Sequence, residues 1–530
     1  MIPLRRSALR AAAALEGALL ALQRRAGAML GGWSERRLLA AALAASLAAT
    51  LVAAVSSDSL YQVDEYFQTV EFASHALGRT SGAQLCWEFA ARIRPWLQPA
   101  AYALLARGAL AAGLESPFAI LRLLRVATGL FSWAALALFL VAVRPWFAEE
   151  RWRRLLVPHV ALACFVPYLA VRTSSETASS AFLLLALALL ARGASGDDGG
   201  PERARHAFLA GGALGLAFDC RYQLGFAALG ITLHAAVHGR PWWRRALPLA
   251  AGFSVAAVLG LAVDAWGYGE WVFTPWNYFR TNLLEGKAAT FGTLPAVAYP
   301  FMFAIWFPPF GLLLFLGLVA LWWKFPRHLL TWTTLPFFLG HSLVAHKEIR
   351  FMIPLLVPAS VGLVLAWSEP GARAGRMGAL VRWMEAVWRA RATRVVNALA
   401  LALLCLLPSP DNLGLQRFLY DHATDRVRWL GFSDPLRAHR IVTPFLWPSH
   451  KPAFTPLEGV EDLRRALAAG SLPAIVVAKF PLPAGAQELL EDRGHLVFAS
   501  LPPALARVNL FRWVERADLY LVYRVAPAAP

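Results

Sequence analysis

Charge is scarce in this chain. Only 16% of its 530 residues are Asp, Glu, Lys or Arg, against about 25% in soluble domains. Hydrophobic residues make up 58% and mean hydropathy is +0.50, so a soluble protein is excluded and an integral membrane protein is indicated. Cysteine is scarce too. Cys86, Cys164, Cys220 and Cys405 lie far apart and form no CxxC pair, which indicates neither a disulfide framework nor a metal site. No aqueous nucleotide-binding loop is present, so a nucleotide-sugar substrate is not expected. No internal repeat is visible. The N-terminus lacks signal-peptide form: seven arginines precede the first apolar run and no A-x-A site follows it.

What remains is apolar, aromatic and basic. A helix needs roughly 20 apolar residues to cross a bilayer, and about eleven runs are candidates: 38–55, 119–142, 155–171, 174–192, 207–219, 223–238, 246–263, 300–322, 329–344, 351–367 and 395–408. The net charge of +18 would suggest nucleic acid in a soluble protein. Here the arginines sit in short loops between apolar runs, which is the pattern membrane orientation requires, so nucleic acid is not an expected partner and membrane lipids are. The basic loops 144–154, 196–206, 238–245, 322–328 and 373–394, with the N-terminal segment 1–37, are assigned to the cytoplasm. The Ala/Arg/Leu bias resembles a GC-rich bacterial genome, and the 21 tryptophans suit interfacial anchoring. The stretch 99–113 is short for a span and is expected as a helix in the outer interface. The organisation expected is a transmembrane catalytic domain over 38–408, with large outer loops 56–118 and 264–299, and an extracytoplasmic domain over 409–530. Strand-like runs 474–480, 495–500 and 518–525 alternate with helix-like 459–470 and 485–494, which predicts a small α/β unit.

Compact ionisable clusters fall on the outward set of loops, where charge near a bilayer usually marks function. Asp64 and Glu65 follow the first span. They suit a helix N-terminus, or a carboxylate that takes a proton from an acceptor hydroxyl. On a helix from residue 64, Asp64, Gln68 and Glu71 share a face and Glu65 points away, so one of the pair addresses a given hydroxyl. Trp87, Glu88, Arg92, Arg94, Trp96 and Gln98 read as an interfacial anchor or as a sugar platform. Arg172 and Glu176 read as an i,i+4 ion pair, or Arg172 as a partner for a lipid phosphate. Asp219, Arg221 and Gln223 lie on the same side. The long stretch 263–295, with Asp264, Tyr268, Trp271, Asn277 and Asn282, is too long for an idle loop and too aromatic for disorder. In 346–350, His346, Lys347 and Arg350 are three donors, with Glu348 placed to orient one of them. Snorkelling cations would be the ordinary reading, but outward positive charge runs against the usual bias, and Lys plus Arg suit a phosphate. Together these features suit transfer from a polyprenyl-phosphate sugar, with cations stabilising the lipid phosphate as it leaves.

The motifs "VDEYFQTVEFASHALG", "WEFAARIRPWLQP", "RTSSET", "DAWGYGEWVFTPWNYFRTNLLEG" and "HKEIRFMIP" resemble the glycosyltransferase family 22 mannosyltransferases, in particular the GPI mannosyltransferase III type. The likeness runs in order over about residues 60–360. It implies a GT-C fold and metal-independent, inverting transfer from polyprenyl-phosphate-mannose to a glycan or glycolipid, forming an α-mannoside. No metal or cofactor is implied. Asp64 falls on the catalytic-base position with Glu65 beside it. Arg172, His346, Lys347 and Arg350 are the implied phosphate binders. Trp87, Glu88, Arg94, Arg221, Tyr268, Trp271, Asn277, Asn282 and Glu348 are the implied substrate residues. The chain departs from the family pattern where Tyr61-Gln62-Val63 precedes Asp64 without a histidine, where Phe89 ends the W-E-W segment, and where "RTSSE" is shortened. Bacteria are not expected to make GPI anchors, so an envelope glycan is the expected acceptor, on the extracytoplasmic face of the inner membrane. A GT-C enzyme for another sugar, a lipid-linked-sugar transporter and an inactive scaffold are the rival readings. The transporter would want midplane charges and repeats, which are not seen.

Overall fold

The structure is a computed structural model that describes residues 32–56, 61–193, 200–239, 241–306, 308–406, 413–424, 426–432, 445–446, 452–483, 485–501 and 519–527. The N-terminal segment 1–31 and residues 57–60 at the start of the first outer loop lie outside the described residues.

Helices dominate, and the chain is a multi-pass membrane protein. Among the described residues, five helices are long and apolar enough to cross a bilayer: Glu35–Ser56, Pro117–Trp146, Ser175–Gly193, Trp243–Tyr268 and Ile349–Ser368. A sixth span is possible if Phe310–Lys324 and Leu329–Leu343, bent by 119°, count as one. This does not confirm the expected eleven. The other apolar runs are helical but shorter, broken or, in Pro201–Cys220, too charged through Glu202, Arg203, Arg205 and Asp219. The run 155–171 divides into Glu150–Ala161 and Phe165–Ala170. The run 300–322 divides into Ala298–Ile305 and Phe310–Lys324, across Pro308 and Pro309, which cannot donate to a helical ladder. Residues 97–111 do form a helix, one face packed inward through Tyr102, Ala103 and Ala106 and the other exposed through Leu104.

The Pro201–Cys220 and Trp243–Tyr268 helices meet through small residues. A Cβ on Gly211 would lie 1.9 Å from the Leu249 carbonyl oxygen, and one on Gly252 would lie 1.9 Å from that of Phe208. Without a hydrophobic drive between helices in lipid, such close backbone approach supplies the packing. It also sets the two helix ends that carry Asp219 and Asp264 against one another. Gly252→Ala must push the helices apart. The expected cost is about 1–3 kcal/mol, as for other overpacked interiors, read as a lower thermal midpoint in detergent. An unchanged midpoint would show that the contact is slack.

The C-terminal region contains a five-stranded sheet in the order β2-β1-β3-β5-β4. Its strands are β1 (Arg428–Gly431), β2 (Phe454–Pro456), β3 (Ala474–Lys479), β4 (Gly494–Ala499) and β5 (Tyr520–Val525). β1 pairs parallel with β2 and β3, and β5 pairs antiparallel with β3 and β4. The three runs read as strands form β3, β4 and β5, and the helices Val460–Ala468 and Ala486–Arg493 stand where helix was read. β1 and β2, of four and three residues, are too short to show a period. One face of this unit packs on the membrane part. Leu415, Leu419, Trp429, Val477 and Val522 share a buried cluster with Tyr66, Val70, Ala106, Phe118 and Leu121.

Candidate active site

Residues 61–71 begin as a helix at Asp64 and widen to a π-helical turn over Tyr66–Val70, a feature frequent at functional sites. The turn sends the two adjacent carboxylates in opposite directions. Glu65 is fully buried. Its Oε1 accepts from the Tyr61 and Gln62 amides (2.7 and 3.3 Å), and its Oε2 from the Thr173 amide and hydroxyl (3.0 and 3.2 Å). Burial pushes this carboxyl up, against the lowering charges of Arg172 and Arg125. Glu65 therefore clamps residues 61–65 to the start of the Ser175–Gly193 helix and does not reach the cavity that Asp64 lines.

That cavity has a volume of about 830 Å³ and opens among the 61–68, 86–94, 218–226, 275–291 and 344–351 segments. Asp64 Oδ2 lies 2.6 Å from an Arg350 guanidinium nitrogen. The same guanidinium donates to Glu348 through Nε (2.6 Å) and a terminal nitrogen (2.9 Å), and approaches Glu176 Oε1 at 3.7 Å. Glu176 Oε1 also meets Arg221 at 3.0 Å, and Arg221 donates to the Ser175 hydroxyl at 3.0 Å. The Phe351 ring lies beneath both guanidiniums, at 4.8 Å from Arg221 and 5.4 Å from Arg350. A third cation, Arg94, pairs with Glu88 at 2.5 Å, which also accepts from Gln68 at 3.3 Å. Tyr268 fixes Arg94 from behind: its hydroxyl donates to the Arg94 carbonyl (2.9 Å) and accepts from the Arg94 amide (3.1 Å).

The 345–350 segment shows how an extended backbone sorts its side chains. Glu348 has φ −132° and ψ 144°, and alternate side chains of an extended strand point to opposite sides. His346 and Glu348 face the cavity and contact one another at 3.0 Å. Lys347 faces away. It is 5% exposed, and its ammonium donates to the Leu294 carbonyl (2.9 Å) and to that of Val344. Burial lowers the Lys347 pKa. Burial alone would raise Glu348, but the Arg350 hydrogen bond and charge, with His346, hold it below its usual range. His346 also bonds the Gly292 carbonyl at 2.9 Å, so this segment pins the end of the long 263–295 stretch.

That loop starts later than expected. Asp264 and Tyr268 belong to the Trp243–Tyr268 helix, which ends at the left-handed Gly269. Asp264 is held there by the Trp96 amide (2.7 Å), the Tyr222 hydroxyl (3.1 Å) and the Thr274 hydroxyl, and does not line the cavity. Trp87 and Phe291 stack with ring centroids 6.1 Å apart. The Lys287 ammonium stands 5.0 Å from the Trp87 ring and 5.8 Å from Phe291.

Of the residues singled out from sequence, Asp64, Gln68, Trp87, Glu88, Arg94, Arg221, Gln223, Asn282, His346, Glu348 and Arg350 line the cavity. Glu65, Arg172, Tyr268, Trp271, Asn277 and Lys347 do not. Arg172 is buried, donates to the Tyr168 carbonyl at 3.0 Å and lies 3.9 Å from its ring. Trp271 is 84% exposed, and Asn277 bonds the Arg92 carbonyl at 3.3 Å. Gln68, placed on the Asp64 face in the sequence but given no role there, hydrogen-bonds Glu88. Sequence reading passed over Glu176 as the link between Arg221 and Arg350, Tyr278 and Phe351 as lining rings, and Lys287 beside the Trp87–Phe291 stack.

GPI mannosyltransferase 3 from Yarrowia lipolytica (strain CLIB 122 / E 150) is 28% identical to this chain over 322 residues, which cover 57% of each sequence. The chain thus spans a little over half the length of that curated relative. Two crystal structures of ArnT from Cupriavidus metallidurans show a distant likeness. The one bound to undecaprenyl phosphate has 13% identity and a TM-score of 0.49, covering 93% of this chain and 99% of that one. The apo form has 14% identity and a TM-score of 0.45, covering 92% and 97%. The model of the Alg9-like mannosyltransferase family matches residues 41–405, which include every residue of the cavity, and the chain belongs to that family of glycosyltransferases.

Proposed function

We propose that this chain is an inverting GT-C mannosyltransferase that moves mannose from polyprenyl-phosphate-mannose to an envelope glycan or glycolipid, forming an α-mannoside. Its cavity would face the extracytoplasmic side of a bacterial inner membrane, with residues 409–530 on the same side. The observation that carries the reading is Asp64 held 2.6 Å from Arg350, in a cavity that also holds Arg94, Arg221 and stacked aromatic rings. Family membership and the mannosyltransferase activity named for the yeast relative favour mannose.

In this mechanism the acceptor hydroxyl gives its proton to Asp64 as its oxygen bonds to the anomeric carbon. The bond from that carbon to the phosphate oxygen breaks on the opposite face, which inverts the configuration. The electron pair leaves on the lipid phosphate. Arg350 and Arg221 are aligned by Glu176 to meet that charge, Arg bidentately. A phosphate drawing on Arg350 loosens its pair with Asp64 and leaves the carboxylate to the acceptor. Arg172 and Lys347 are assigned structural roles, Glu65 and Tyr268 positioning roles. Trp87 and Phe291 offer a flat face to a sugar.

The test is transfer by the purified protein in detergent, with radiolabelled polyprenyl-phosphate-mannose and a lipid extract of the host. Label should move to a new lipid-linked product. Transfer only from another polyprenyl-phosphate sugar would remove mannose and keep the mechanism.

A further inference from the structure

A second cavity, of about 270 Å³, lies at the other ends of the helices that bound the first. The Pro201–Cys220 helix brings Phe218 to the first cavity and Arg203 and His206 to the second. Those positions are fifteen and twelve residues apart, about 18–22 Å along a helix. The Gly225–His238 helix likewise carries Phe226 at one end and His234 towards the other. Six basic side chains line the second cavity: Arg203, His206, His234, Arg245, Arg327 and His328. Arg203 and Arg245 already have partners of their own, as Arg350 does in the first cavity. His328 accepts the Leu330 amide on Nδ1 at 3.2 Å, so its proton sits on Nε2. The remaining walls are apolar, including Leu190, Ile231 and Leu329. Trp242 and Trp243, just before Arg245 in the chain, and Trp323, four residues before Arg327, are at least half exposed, as interfacial tryptophans are.

A cavity at headgroup depth, cationic on one wall and apolar on the other, matches a phosphodiester attached to acyl chains. We propose that it holds the headgroup of an anionic glycerophospholipid such as phosphatidylglycerol. Arg203, Arg245 and Arg327 would meet the phosphate and His328 would donate to a headgroup oxygen. This site is separate from the transfer cavity and does not depend on which sugar is moved. Its consequence is that the packing of the helices carrying Phe218 and Phe226 senses the lipid around the protein.

Native mass spectrometry of the full-length protein tests this, with phosphatidylglycerol or phosphatidylcholine doped into a neutral detergent. Wild type should retain phosphatidylglycerol at least tenfold over phosphatidylcholine, and phosphatidylglycerol should raise the thermal midpoint, since a ligand of the folded state stabilises it. Arg245→Gln/Arg327→Gln should lose that preference. Arg376→Gln/Arg394→Gln removes the same charge from exposed positions outside the cavity and should keep it. Ala235→Phe, which fills the cavity and leaves all six basic groups, should also lose it, and decides the matter if the double arginine variant fails to fold. Equal retention by wild type and Ala235→Phe would overturn the proposal. So would displacement of the lipid by millimolar inorganic phosphate that binds lipid-free protein equally well, which would make this a small-anion site.

Discussion

Asp64→Asn should lower sugar transfer by about 10²- to 10⁴-fold, the usual contribution of a general base, while leaving the protein folded. Asparagine keeps the size of the side chain and can still accept from Arg350, now 2.6 Å away. It cannot take the acceptor proton. The neighbouring Glu65 offers no replacement, because its two oxygens are occupied by the Tyr61, Gln62 and Thr173 donors and it lies outside the cavity. The measurement is the transfer rate beside the thermal midpoint and gel-filtration profile. A monodisperse, stable Asp64→Asn protein with wild-type turnover would remove the base assignment.

Arg350→Lys is expected to cost about 10²- to 10³-fold in kcat, comparable to losing a preorganised donor to a developing anion. Arg350 is the group on which three carboxylates converge: Asp64, Glu348 and, at longer range, Glu176. A planar fork can meet Asp64 and Glu348 at once and still turn an N–H toward a phosphate. A lysine ammonium is one point charge on a flexible stem. The loss should therefore fall on kcat as well as on donor KM, whereas Lys347→Gln should leave transfer chemistry intact and act on the 292–295 segment that it ties. Equal damage to kcat from both changes would show that the 292–295 segment, and not the guanidinium, sets the rate.

Much of this site was legible because its charges stand out against an apolar chain. Asp64, Arg94, Arg221, Glu348 and Arg350 fall outside the long apolar runs, and all five line the cavity. What could not be read was direction. Asp64 and Glu65 are adjacent, and a helical period does tell that they diverge, but not which of them turns inward. The Thr173 donors that claim Glu65 lie 108 positions away. Lys347 looked equivalent to its neighbours until the extended backbone at Glu348 put it on the far side. Arg172 and Glu176 were spaced for an i,i+4 pair, yet Glu176 sits with Arg221 at 3.0 Å, a partner from another helix end. The span count suffered for a related reason: hydropathy reports apolar length, and it does not see the break at Pro308 and Pro309 that divides one run into two helices.

The packing of the C-terminal unit against residues 66–70 bears on how this chain could be shortened. Tyr66 and Val70 follow directly on Asp64 and Glu65, and their buried faces rest on Leu415, Leu419 and Trp429. Glu71 accepts the Phe445 amide at 3.2 Å. A chain ended at residue 408 would keep every lining residue of the cavity and lose the floor under the turn that aims Asp64. The region after 408 therefore supports that turn, and a chain ended there is expected to lose the aim of Asp64 before it loses any lining residue.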